Sequence, residues 1–157
     1  MEGPCLERRR RACGRGVERR PARREWIRNE DERTLLRDAG KRMGVLTNKP
    51  LRMTKSIIEG LGVGGHFFRL YGGDSFGEKK PHPMGVEALM REASVERGRT
   101  MMVGDSSVDV LTARNAGIAS CGVTWGFQPE TLADPAPDLL VDRMEQLADR
   151  LLQDCGE

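Results

Sequence analysis

The sequence lacks long apolar runs, a secretory signal pattern and closely paired cysteines, which are the features of membrane, secreted, zinc-binding and disulfide-rich proteins. No apolar run approaches the roughly 18 residues that cross a bilayer. The Arg-rich start is not followed by the apolar segment of a secretory signal, so we predict a soluble, cytoplasmic protein. The four cysteines never form a Cys-x-x-Cys pair, which argues against a zinc site and a disulfide framework; they are Cys5, Cys13, Cys121 and Cys155.

Two further absences limit the chemistry to be expected. The only two histidines, His66 and His82, have no partner at metal-ligand spacing. The sequence also contains no Asp-x-Asp upstream of its other polar motifs, the spacing that would supply a carboxylate nucleophile. This second absence leaves a covalent step without an evident residue.

Charge is distributed unevenly along the chain. Residues 1–28 contain ten arginines and four glutamates, a local charge of +6, whereas the whole chain carries only +2. This segment has neither helical nor strand periodicity and few large apolar residues, so we interpret it as a disordered arm. The alternative is that this arm binds nucleic acid, but its arginines do not alternate with aromatic residues and it has no recognisable nucleic-acid-binding motif. We assign residues 29–157 to one domain.

From residue 29 onward, short apolar runs alternate with amphipathic helical stretches. This alternation is typical of βαβ units and predicts an α/β fold with a Rossmann-like parallel sheet and helices on both faces. Ligands of such sheets bind beyond the carboxyl ends of the strands, which is where Thr47, Asp105 and Thr124 fall. The predicted strands are 43–47, 67–71, 100–103, 118–123 and 139–141, and the predicted helices from residue 51 onward are 51–61, 83–93, 108–116 and 144–152.

A pair of carboxylates follows one of these strands. Asp105 ends the apolar run, and Asp109 lies about one helical turn later. Hard oxygen ligands of this kind suit Mg²⁺, so we predict Asp105 as a direct ligand. Asp109 is predicted to orient a metal-bound water or to hold Lys80. The alternative is that Asp105 and Ser106 only cap the following helix.

Two upstream segments predict phosphate binding. The hydroxyl of Thr47 and the backbone N–H of Asn48 follow a strand, where both can face a phosphoryl oxygen. Lys80 precedes Pro81, whose ring favours an extended backbone at Lys80 and projects its ammonium into the cleft. An N-cap role for Thr47 and Asn48 is the alternative. A solvated surface charge is the alternative for one member of the Lys79–Lys80 pair.

Taken together, these segments resemble the second, third and fourth motifs of haloacid dehalogenase superfamily phosphatases, with most similarity to the phosphoglycolate phosphatase group. The resemblance covers residues 30–153. The matching runs are Gly44-Val45-Leu46-Thr47-Asn48-Lys49-Pro50, Glu78-Lys79-Lys80-Pro81-His82-Pro83 and Met102-Val103-Gly104-Asp105-Ser106-Ser107-Val108-Asp109.

The resemblance implies a Mg²⁺-dependent hydrolase of small phosphorylated metabolites. It implies catalytic roles for Thr47 and Lys80, phosphate binding by Thr47, Asn48 and Lys80, and a magnesium motif at Asp105 and Asp109. In that family an aspartate of the first motif attacks the phosphoryl group, and a cap selects the substrate. This sequence matches neither the first motif nor the cap, so we expect the central strand to be missing and the chain alone to be inactive. Exposed strand edges would then favour self-association.

Other functions remain open at this point. The shared motifs do not separate a phosphatase from a β-phosphoglucomutase-like or pyrophosphatase-like relative. A non-catalytic module that binds phosphate, metal or a strand of another polypeptide is a further alternative.

Overall fold

The computed structural model describes residues 30–153, and the arm predicted at 1–28 lies outside the described residues. No helix in the described range is long and apolar enough to cross a membrane. Short 3₁₀ helices lie at Gly64–His66, Arg97–Arg99 and Pro129–Ala133. The main elements are α1 (Glu30–Asp38), β1 (Met43–Leu46), α2 (Leu51–Gly60), β2 (Phe67–Tyr71), α3 (Met84–Ala93), β3 (Met101–Gly104), α4 (Ser107–Ala116), β4 (Ala119–Val123), β5 (Leu139–Val141) and α5 (Met144–Gln153).

The strands form two parallel sheets, which confirms the α/β class. β1 pairs with β2, and β3, β4 and β5 pair in that order. Within residues 30–153, no hydrogen-bonded ladder joins β1 to β3. The sequence-based hypothesis of a missing central strand requires such a division. The identity of a strand between the two sheets stays a prediction.

Helices α3 and α4 hold the two sheets together on one face. α3 packs against β1 and α4, and α4 packs against β3 and β4. Leu46 of β1 and Met102 of β3 both contact a shared apolar core, so burial of this core stabilises both sheets at once. The buried members of the core are Val86, Ala113, Ala116 and Ile118.

The second core lies around the last strands and α5. Its buried residues are Cys121, Val123, Val141 and Leu147. Consecutive residues of β4 from Ser120 to Val123 are all buried, so both faces of this strand are covered. Burial raises the pKa of the Cys121 thiol to about 11, as expected for a thiol in apolar surroundings.

Candidate phosphate and metal site

Polar side chains from both sheets meet at the carboxyl ends of the strands. Thr47 directly follows β1, and Asp105 directly follows β3. Asn48, next to Thr47, is hydrogen-bonded to Lys80, and Lys80 is paired with Asp109, so the two strand ends are linked although Thr47 and Asp105 are 58 positions apart. A cleft at these strand ends has a lining that includes Thr47, Asn48, Gly72, Gly73, Glu78, Lys79, Lys80 and His82.

A buried ion pair joins the two sides of the site. Lys80 Nζ lies 2.5 Å from Asp109 Oδ1, and the two side chains are only 12% and 9% exposed. Asp109 Oδ2 accepts hydrogen bonds from Ser106 Oγ at 2.8 Å and from the Asp105 backbone N–H at 3.2 Å. Both carboxylate oxygens of Asp109 therefore already have partners. Asp109 holds Lys80 in place, one of the two roles predicted for it, and Lys79 is exposed.

Asp105 is oriented by the loop that follows β4. The backbone N–H of Phe127 donates to Asp105 Oδ2 at 2.5 Å. Gly126 makes this approach possible, because a Cβ at that position would overlap the Asp105 side chain. Among the described residues, Asp105 Oδ1 has no hydrogen-bond partner.

The donor set fits a partly hydrated Mg²⁺. Mg²⁺ is commonly held by one or two carboxylates, with water and substrate phosphate completing its octahedron. Asp105 Oδ1 is a suitable carboxylate oxygen, whereas Asp109 is engaged by Lys80 and Ser106. In residues 30–153 no group of three or more His, Cys, Asp or Glu side chains is arranged to hold a metal by itself.

Ser106 does not act as the side-chain cap considered as an alternative. It is the N-cap of α4 in an extended conformation, yet its side chain makes no capping hydrogen bond. Its hydroxyl donates to Asp109 instead. The spacing of Asp105, Ser106 and Asp109 thus builds a hydrogen-bonded cluster around the ion pair.

Thr47 is also free of a capping role for the next helix. Pro50 is the N-cap of α2, and the first helical N–H, that of Leu51, donates to Asp74 Oδ1 at 2.7 Å. Thr47 Oγ1 accepts from the backbone N–H of Lys49 at 3.2 Å, which fixes the turn after β1. The Thr47 hydroxyl keeps its own hydrogen for donation, and its role as a phosphate donor stays a prediction.

The Asn48 side chain has a structural task that sequence reasoning missed. Its Oδ1 accepts from the Lys80 backbone N–H, and its Nδ2 donates to the Lys80 carbonyl, both at 3.0 Å. This reciprocal pair ties the turn after β1 to the segment that carries Lys80. The Lys80–Pro81 peptide is cis. No local pattern could have indicated the pairing, because the two residues are 32 positions apart.

Two glycines allow the segments of the cleft to approach closely. A Cβ on Gly73 would collide with the backbone of Asn48, and a Cβ on Gly72 would collide with the backbone of Leu51. Gly73 N–H donates to the Lys49 carbonyl at 2.8 Å. The turn after β2 is therefore packed directly against the turn after β1.

A second charged cluster lies between β2 and α3. Tyr71 donates to Glu92, and Arg69 Nε lies 2.5 Å from the same carboxylate. These two hydrogen bonds hold the pKa of Glu92 below its ordinary value and raise the pKa of Tyr71 and that of Arg69. The cluster connects β2 to the helix that precedes β3.

Comparison with known proteins identifies the family. A profile of the family described as haloacid dehalogenase-like hydrolase matches residues 34–123, more than half of the chain. The chain belongs to the haloacid dehalogenase-like hydrolases. This match confirms the resemblance in the motifs around Thr47, Lys80 and Asp105.

Among relatives of this hydrolase family, a phosphoglycolate phosphatase of Vibrio vulnificus is 39% identical over 118 residues, covering 74% of this chain and 52% of the relative. A phosphoglycolate phosphatase of Vibrio parahaemolyticus is 40% identical over 113 residues, covering 71% of this chain and 50% of the relative. The chain thus spans about half the length of these relatives.

Solved structures of the family agree on the fold. The crystal structure of a predicted phosphoglycolate phosphatase from Haemophilus somnus has a TM-score of 0.72 and 29% identity, covering 76% of this chain and 54% of that chain. The crystal structure of a predicted phosphatase from Clostridium acetobutylicum has a TM-score of 0.70 and 26% identity, covering 79% of this chain and 58% of that chain.

Proposed function

We propose that this chain binds the phosphoryl group of a small phosphomonoester together with Mg²⁺, as the charge-stabilising part of a phosphoglycolate phosphatase-like hydrolase. The proposal rests on the buried Lys80–Asp109 ion pair, because Lys80 lines the same cleft as Thr47 and Asp109 accepts a hydrogen bond from the Asp105 backbone N–H. The names of the curated relatives support a phosphorylated acid as the substrate. A cytoplasmic location fits such a substrate and is part of the proposal.

Each residue has a distinct electrostatic task in this proposal. The Thr47 hydroxyl and the Asn48 backbone N–H donate to phosphoryl oxygens, and the Lys80 ammonium compensates their negative charge. Asp109 keeps that ammonium in position. Asp105 binds Mg²⁺, which when present neutralises phosphate charge. Fixed charges of this kind account for most of the catalysis in phosphoryl transfer.

The covalent step requires a group that we do not assign to this chain. The sequence has no Asp-x-Asp, and Asp109 is already engaged by Lys80 and Ser106. We therefore propose that the chain by itself binds phosphate without turning over a phosphomonoester. Because this sequence does not match the family's cap, profiling a full-length relative would separate phosphatase, β-phosphoglucomutase-like and pyrophosphatase-like specificities.

Calorimetric titration with inorganic phosphate, with and without Mg²⁺, tests the proposal. The expected result is phosphate binding that Mg²⁺ strengthens, and Asp105→Asn should weaken the Mg²⁺ effect by at least about tenfold, because a metal ligand is removed. Asp149→Asn on the exposed surface of α5 is the matched control and should change nothing. Equal affinity in Asp105→Asn and the unaltered chain would remove Asp105 from the metal role.

A second function is favoured by the division of the sheet. In the described range, β1 is paired only with β2 and β3 only with β4, so each has an unpaired edge. Val103 in the middle of β3 is 41% exposed although its strand is apolar. We propose that these edges accept a parallel strand of another polypeptide, with self-association of this chain as the competing outcome.

A synthetic peptide with an apolar strand ending in Asp-x-Asp-Gly-Thr tests the strand-accepting function. The expected result is a one-to-one complex, measured by sedimentation, and phosphate release that the chain alone does not show. A scrambled peptide is the control. An unchanged sedimentation coefficient and no gain of activity would contradict this second function, and concentration-dependent dimers without peptide would favour self-association.

A further inference from the structure

The proposed function gives no role to Lys49 or Lys79, and Lys49 is the one of the two that contacts the loop after β4. Lys49 follows Thr47 and Asn48 directly and is exposed. Its backbone N–H donates to Thr47 Oγ1 and its carbonyl accepts from Gly73, so the main chain at this position is fixed by the same turn that holds the phosphate donors. The flexible part of Lys49 is therefore only its side chain.

The Lys49 side chain reaches across to the other sheet. Its ammonium lies 5.7 Å from the centroid of the Phe127 ring, within the range of a cation–π interaction. Phe127 is the residue whose backbone N–H donates to Asp105. The ammonium thus lies between the turn that carries Thr47 and the loop that orients the predicted metal ligand.

Lys80 and Lys49 differ in their ion pairing. Lys80 is paired with Asp109 at 2.5 Å. Among residues 30–153, no carboxylate lies within ion-pair distance of Lys49. Lys49 consequently adds a positive charge at the mouth of the site, and the 68% exposed Phe127 ring provides an apolar wall beside it.

We propose that Lys49, positioned by Phe127, binds a second anionic group of the substrate and so selects small phosphorylated carboxylic acids. The inference rests on the proposed function, because it assumes that the phosphoryl group lies against Thr47 and Lys80. A carboxylate one carbon away from the phosphate ester oxygen then extends toward the mouth, where Lys49 donates a charge-assisted hydrogen bond. An uncharged substituent at the same place gains no such bond.

The ratio of two binding constants tests this selection. The affinities of the chain for 2-phosphoglycolate and for 2-hydroxyethyl phosphate, which carries an uncharged tail, are measured by calorimetry with Mg²⁺. We expect the unaltered chain to prefer 2-phosphoglycolate by about tenfold, the scale of one partly exposed charge-assisted hydrogen bond. Lys49→Gln should reduce that preference to within about twofold while leaving the affinity for inorganic phosphate nearly unchanged.

Two further variants separate selection from general charge effects. Lys41→Gln removes the same charge ahead of β1, at the opposite end of the strand, and should keep the preference. Phe127→Leu retains the backbone N–H to Asp105 but removes the ring, so the preference should fall by a smaller factor than in Lys49→Gln. If both proteins bind inorganic phosphate and Lys49→Gln keeps the full preference for 2-phosphoglycolate over 2-hydroxyethyl phosphate, the inference is overturned and the proposed function is not. Absence of inorganic phosphate binding would overturn the proposed function and the inference together.

Discussion

The β1–β2 sheet and the β3–β4–β5 sheet contribute opposite chemistry at the same edge of the molecule. The first sheet leads into hydrogen-bond donors and a cation, those of Thr47, Asn48 and Lys80, whereas the second leads into the carboxylates of Asp105 and Asp109. In the proposed site, the donors and the cation of the first set bind the phosphoryl group, and the carboxylates of the second set hold the Lys80 ammonium and bind Mg²⁺. The proposed site therefore draws on both sheets.

The two sheets also differ in how their strands are supported. β4 has partners on both sides and is buried from Ser120 to Val123, whereas β1 and β3 each have one partner in the described range. In the described range, the contacts between the sheets include helix packing, the buried Lys80–Asp109 ion pair and the Lys49–Phe127 contact, whereas no strand pairing joins the sheets. We therefore expect the junction to depend unusually strongly on a few side chains.

The largest expected effect is at the ion pair itself. Asp109→Asn leaves the Lys80 ammonium buried without a counter-charge, which should lower the free energy of unfolding by about 3 kcal/mol or more. Urea denaturation measures this loss. Asp38→Asn breaks the exposed Arg37–Asp38 pair and should cost less than about 0.5 kcal/mol. Equal effects of the two substitutions would show that the junction does not depend on the buried pair.

The next largest effect concerns the close approach of two turns within the first sheet. Gly73→Ala introduces a Cβ against the Asn48 backbone, which should cost about 2 kcal/mol through the forced displacement of the turn. Gly77→Ala is a matched control, because no heavy atom lies within 4 Å of its added Cβ. Thermal unfolding compares the two variants. A Gly73→Ala protein as stable as Gly77→Ala would mean that the turns are not held together as described.

The smallest expected effect on stability comes from the hydrogen bonds between Asp138 and Ser120 in the second sheet, and it depends on pH. Asp138 accepts hydrogen bonds from the Ser120 hydroxyl at 2.6 Å and the Ser120 N–H at 2.8 Å, which hold the pKa of this carboxyl below its ordinary 3.8. The ionised Asp138 carboxylate therefore stabilises the fold above pH 3.8, and this contribution is lost as the pH falls through the lower pKa of the folded chain. Asp138→Asn should cost less than about 1 kcal/mol at neutral pH.

The same Asp138→Asn variant should cost still less in acid below the lowered folded pKa of Asp138, because the carboxyl of the unaltered chain is then itself protonated. Denaturation at both pH values checks the difference. If the loss of unfolding free energy in Asp138→Asn is the same at both pH values, the loss does not come from the charge of the carboxylate.

The sequence predicted the elements well because their signals are local. Apolar runs and helical periodicity placed each predicted strand and helix from residue 43 onward within about two residues of its observed bounds. The rule that parallel strands end at one edge predicted that Thr47 and Asp105 would converge, and Lys80 was added because of the proline that follows it. The 3₁₀ helix at Pro129–Ala133 was not predicted.

The connections within the site could not be predicted, because they join distant positions without a periodic signal. The Asn48–Lys80 pairing spans 32 residues, and the Phe127–Asp105 hydrogen bond spans 22. The Asp74 cap of α2 likewise comes from a different turn. Sequence reasoning assigned Asn48 to phosphate through its backbone, and the structure adds that its side chain positions Lys80.

The most direct test of the central claim is ³¹P NMR of 2-phosphoglycolate mixed with the purified chain and Mg²⁺. The account predicts a shifted or broadened phosphate resonance that Asp105→Asn moves back toward its free position, with no conversion to inorganic phosphate over the same period. Conversion that Asp105→Asn abolishes would contradict the account by showing that this chain contains its own nucleophile. An unperturbed resonance would contradict it by showing that the junction of the two sheets is not a phosphate site.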